Sequence, residues 1–81
     1  METRVAIVSI IVESNAVISE IQALLSEHSE YIIGRFGIPY RQKNVRIISV
    51  VLDAPVETIN ALADKIGKLD HVNTKTVLSN V

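Results

Sequence analysis

The chain has 81 residues, eight basic and nine acidic side chains, a formal net charge of −1 and no cysteine. That length holds one domain, residues 1–81, with a marginal core of its own. The balanced charge gives no field for direct DNA binding by this chain alone, and the missing thiols rule out disulfides, thiolate zinc sites and iron–sulfur ligation. Small domains without such staples gain stability from partner chains.

Arg4 to Val12 reads as a first strand. It has a faint likeness to a signal-peptide core, but Ser9 interrupts it, Glu13 follows at once and no small-x-small site appears. It is also far short of the roughly 20 residues needed to cross a bilayer, so a cytoplasmic protein without membrane contact is expected. Ser14 or Asn15 can cap a helix running to about His28, with Val17, Ile18, Ile21, Leu24 and Leu25 as its apolar stripe. A second strand covers about Tyr31 to Phe36, and Gly37, Pro39 and Asn44 predict a loop after it. The third strand is about Val45 to Leu52. Pro55 then suits the first turn of a second helix, striped by Val56, Ile59, Leu62, Ala63 and Ile66 and ended by Gly67. The last strand, about Val72 to Leu78, alternates more polar residues and reads as a sheet edge.

Val8 to Ser14 matches Ile48 to Ala54 in character at an offset of forty residues, so the chain is two β-α-β units in tandem. This order predicts an α+β, ferredoxin-like βαββαβ sandwich: a four-stranded antiparallel sheet with both helices on one face. Val8, Ile10, Val12, Ile48, Val50 and Leu52 suit the helix-covered face. The opposite face carries Val5, Ile7, Ser9 and Ile11 beside Val45, Ile47, Ser49 and Val51, and no third helix remains to cover it. Exposed aliphatics forfeit roughly 1.5–3 kcal/mol each, so a second copy is expected there. Ile7, Ser9, Ile11, Ile47, Ser49 and Val51 are the predicted interface of a homo-oligomer, dimer or tetramer.

The candidate ligand site is the segment Gly34 to Arg41. Gly34 and Gly37 flank a strand end and let a ligand approach the backbone. Arg35, Arg41, Lys43 and Arg46 place four cations within twelve residues, and arginine takes carboxylate or phosphate bidentately. Gly34, Arg35, Gly37, Pro39, Tyr40 and Arg41 are therefore expected to hold a small anionic effector. A solvated, charge-protected hairpin would use the same residues. His28 and His71, even with Asp70, make too few ligands for an expected metal, and no cofactor is implied. No Ser/His/Asp spacing, carboxylate pair or phosphate-cradling loop stands out, so an enzyme is not expected.

The run Tyr31 to Arg41, with its Gly-Arg-x-Gly-Ile-Pro-Tyr-Arg core, followed by Val45 to Ala54, resembles the iron-only hydrogenase system regulator family. That family is ACT-like and similar to the C-terminal, ligand-sensing domain of the nickel-responsive regulator. The resemblance spans essentially the whole chain and implies a regulatory role, of the transcriptional regulator kind, with small effectors bound at subunit interfaces. Where the nickel-responsive relatives carry His and Cys, this chain has Tyr40, Gln42 and Asn44, so the nickel site does not carry over. Glu13-Ser14-Asn15-Ala16 stands where amino-acid-binding ACT domains place glycine. The alternative within the same resemblance is an interaction adaptor, docking on a maturase or a DNA-binding partner without a small ligand.

Overall fold

The computed structural model describes residues 2–81. Strand β1 spans Arg4–Val12, helix α1 Ile18–Glu27, β2 Ile32–Tyr40, β3 Val45–Ala54, α2 Val56–Gly67 and β4 Val72–Leu78. The sheet order is β2-β3-β1-β4 and each neighbouring pair is antiparallel. Each β-α-β unit leaves a gap of one strand between its own two strands, and the other unit fills it, so β1 and β3 share the middle. This is the ferredoxin-like α+β sandwich that the element order predicts.

Strand alternation builds the core. Ala6, Val8, Ile10 and Val12 of β1 and Ile48, Val50, Leu52 and Ala54 of β3 are buried under the helices. Ile21 and Leu25 of α1 and Ile59, Leu62 and Ile66 of α2 fill the other side at helical spacing. The forty-residue repeat has a geometric counterpart. Ser9 and Ser49, equivalent in the repeat, lie directly opposite each other, with Val8 against Val50 and Ile10 against Ile48 on either side. A local two-fold therefore passes through the centre of the sheet.

Ser14 is extended and its Oγ accepts from the Ala16 N–H at 3.2 Å, opening a single 3-10 turn over Asn15–Val17 that leads into α1. At the other end of β1, the Val5 N–H donates to the Val81 carbonyl at 2.7 Å and the Ser79 N–H to the Val5 carbonyl at 3.0 Å. The C-terminal residues thus continue the β4 side of the ladder.

One local expectation changes. The predicted loop after Phe36 is strand: Gly37 to Tyr40 pair with Ile48 to Val45, and the reversal narrows to Arg41–Lys43 and Asn44. Pro39 is tolerated because β2 is an edge, where a missing N–H breaks no interior ladder. Asn44 closes the turn in the left-handed region at φ 55, where asparagine is among the few non-glycine residues at ease. At its C-terminal end α2 stops at Gly67, as expected, and His71 takes the positive φ of 64 in the turn that follows. The His71 carbonyl accepts the Glu13 N–H at 2.8 Å, which ties that turn to the end of β1.

Candidate functional site

Cross-strand register decides which of the predicted site residues meet. The helix-free face carries Ile7, Ser9 and Ile11 of β1 directly opposite Val51, Ser49 and Ile47 of β3. All six predicted interface residues therefore lie on one face, and Ile11 and Ile47 keep 45% and 36% of their surface exposed. The register brings to this face residues that the predicted interface left out. Gly34, Phe36, Ile38 and Tyr40 of β2 oppose Val51, Ser49, Ile47 and Val45, and Val77 of β4 opposes Ile7. Phe36 is 55% exposed and Val77 63%. One row across the sheet reads Ile38, Ile47, Ile11, Asn73, and the next reads Phe36, Ser49, Ser9, Lys75. The face is apolar along its length, with two serines at its centre and its polar side chains towards the β4 edge.

The six predicted ligand residues do not gather in a single pocket within one protomer. A β-bulge between Ile32 and Gly34 shifts the register once. Beyond it, Arg35, Gly37 and Pro39 share the helix side of β2 with Val50, Ile48 and Arg46 of β3, while Gly34 and Tyr40 belong to the open face. Arg35 Nη2 donates to Gln22 Oε1 of α1 at 2.7 Å. Tyr40 donates its hydroxyl to Gln42 Oε1 at 2.7 Å. Arg41 sits in the reversal itself.

These residues line two neighbouring clefts. The larger, of about 340 Å³, lies between α1 and the hairpin and is lined by Gln22, Leu25, Arg35, Phe36, Gly37, Pro39, Arg46 and Ile48. The smaller, of about 230 Å³, lies at the hairpin tip and includes Asn15, Pro39, Tyr40, Arg41, Asn44 and Arg46. Pro39 and Arg46 belong to both. The strand pattern already carried a signal for Arg46, because it falls in the same alternation as Ile48, Val50 and Leu52 and so points to the helix side. Chemically, two arginines and a glutamine over an apolar floor suit an anion. Among the described residues, no group of three or more His, Cys, Asp or Glu side chains is placed to hold a metal ion. His28 Nδ1 instead lies 2.8 Å from the Leu24 carbonyl at the end of α1. No helix among those residues is long and apolar enough to cross a membrane.

Neither glycine of the segment is held by backbone strain, since no glycine among the described residues has a positive φ. A Cβ at Gly34 would meet nothing within 4 Å, and one at Gly37 would come no nearer than 3.9 Å to Ile47 O and Ile48 Cγ1. The fold of one protomer therefore has room for a Cβ at either position.

Known proteins fit this architecture. The uncharacterized protein TM1266 from Thermotoga maritima superposes with a TM-score of 0.91 at 37% identity, covering 95% of this chain and 98% of that one. More distant structures share the fold alone. A formyltetrahydrofolate deformylase from Pseudomonas putida matches with a TM-score of 0.70 at 16% identity, over 95% of this chain and 29% of that one. A nitrogen regulatory PII-like protein from Thiomonas intermedia matches at 0.52 and 14% identity, over 99% and 100%. No curated protein matches the sequence. The family model described as "Iron-only hydrogenase system regulator, putative" matches residues 4–76. With the full-length likeness to TM1266, that match settles the relationship: this chain belongs to the TM1266-like family.

Proposed function

We propose that this chain is a homo-oligomeric regulatory module of the iron-only hydrogenase system, assembled through its open sheet faces and responsive to a small anionic effector held by the Gly34–Arg41 hairpin. The observation that carries the reading is the open face itself. Ile38, Ile47 and Ile11 in one row and Val51, Ile7 and Val77 in another, with Phe36 at the β2 end of the serine row between them, leave an extensive apolar surface on a sheet with only one helical layer. Contiguous apolar patches of this kind mark association sites. Covering these half-exposed side chains returns roughly 1 kcal/mol each. The local two-fold at Ser9 and Ser49 gives the patch a symmetric outline, which suits an isologous contact between identical chains.

The effector half of the reading rests on the arginines of the hairpin, since Arg35, Arg41 and Arg46 line the two clefts beside the assembly face. Native mass spectrometry of the untagged protein tests both halves together. The expected spectrum shows two or four times the chain mass with a small additional mass that collisional activation releases. A bare single-chain mass at micromolar concentration refutes the assembly.

A further inference from the structure

The larger cleft has a construction that the hairpin sequence alone does not reveal. Arg35 and Arg46 stand on the same side of the sheet at opposite ends of the cleft. Gly37 lies between them along β2, and Pro39 faces Arg46. Pro39 is four positions beyond Arg35 and pairs with Arg46, so the two arginines are rooted about 13 Å apart along the strands. Their side chains are long enough to turn inward over the position where residue 37 has no side chain. Gln22 of α1 holds Arg35 from one side. Leu25 and Ile48 form an apolar floor, and among the described residues no carboxylate lines the cleft. Backbone conformation does not require glycine at 37, and a Cβ there would meet only ordinary contacts. What glycine does at that position is leave the cleft between the two arginines free of a side chain.

We infer that this cleft is a binding site for a small organic dianion of the dicarboxylate type, one carboxylate at Arg35 and the other at Arg46, with the carbon chain lying over Gly37 and the apolar floor. Two cations rooted well apart match two separated charges better than one compact anion. An apolar surface between them matches methylenes better than water. The inference names the effector class of the reading above and rests on its effector half alone, because one protomer supplies every lining residue.

The test is a thermal-shift titration of the full chain with succinate, inorganic phosphate, acetate and sodium chloride at matched ionic strength, repeated on R35Q, R46Q and G37V. Binding to the native state alone raises the melting temperature with a saturating dependence on ligand. Succinate is expected to give a saturating rise well above chloride, with acetate close to chloride. R46Q and R35Q should each weaken the succinate response roughly tenfold or more, the loss of one charge-assisted contact. G37V should remove it while melting normally without ligand. No succinate effect beyond chloride, or an undiminished effect in R46Q, overturns the site. A phosphate shift equal to or larger than that of succinate overturns the dicarboxylate assignment. The masses of the same samples separate the two claims. A succinate-responsive single chain refutes the assembly and keeps the cleft, whereas an assembled protein indifferent to succinate refutes the cleft and keeps the assembly.

Discussion

Ile47 and Ile48 are neighbours in β3 with opposite surroundings, and one substitution at each separates folding from assembly. Ile48 is 4% exposed beneath the helices, whereas Ile47 lies on the open face between Ile38 and Ile11 of the adjacent strands. For I47E in an isolated protomer, the loss is the partial burial of one isoleucine plus a weaker strand former, about 1–2 kcal/mol. In a face-to-face dimer the change occurs twice. Each copy gives up roughly 1 kcal/mol of apolar burial and brings a carboxylate into an apolar contact, costing several kcal/mol per ion. The sum is roughly 6 kcal/mol or more, over four powers of ten in the dissociation constant. I48E instead buries its charge within the protomer and should leave the chain unfolded at room temperature. Sedimentation velocity and far-UV circular dichroism on the two variants decide the matter. I47E should keep its β-sheet spectrum and sediment as a single chain, while wild type sediments as an oligomer and melts at a temperature that rises with concentration. An I47E protein that sediments like wild type refutes the assignment of this face.

Further substitutions probe single features of the fold. H71G removes a left-handed strain that a non-glycine residue bears at φ 64 and should stabilise the chain by about 0.5–1 kcal/mol, read from urea midpoints. N44A puts alanine at φ 55 in the hairpin reversal and should destabilise by about 1 kcal/mol in the same assay. S14A removes the acceptor for the Ala16 N–H and should cost about 0.5–1 kcal/mol. I21A empties a fully buried position in α1 and should cost about 2–5 kcal/mol, enough to unfold much of a domain this small.

Most of the fold is written in hydrophobic periodicity. Alternation in Arg4–Val12 and Val45–Ala54 marks both the buried face and the open one, and the stripes of α1 and α2 match the helices that bury them. The hairpin was less legible, because Gly37, Pro39 and Asn44 look like loop punctuation in sequence. On an edge strand, two of them fit within pairing and only Asn44 turns the chain. That extension governs the site. Once residues 34–40 are strand, an odd step separates Arg35 from Tyr40 and sends them to opposite faces. The same alternation brings Arg46 to the side of Arg35. Gly67 ends α2 as its place in the sequence suggests, but the left-handed conformation that glycine commonly supplies at helix ends falls four residues later, at His71.

Phe36 is the sole phenylalanine of the chain and stands on the open face, so fluorine NMR of protein labelled with 4-fluorophenylalanine observes that face without other signals. The account predicts a resonance shielded from solvent at high concentration, with a small shift between light and heavy water, giving way on dilution to a second, water-exposed resonance. A single fully exposed resonance at every concentration would contradict assembly through this face.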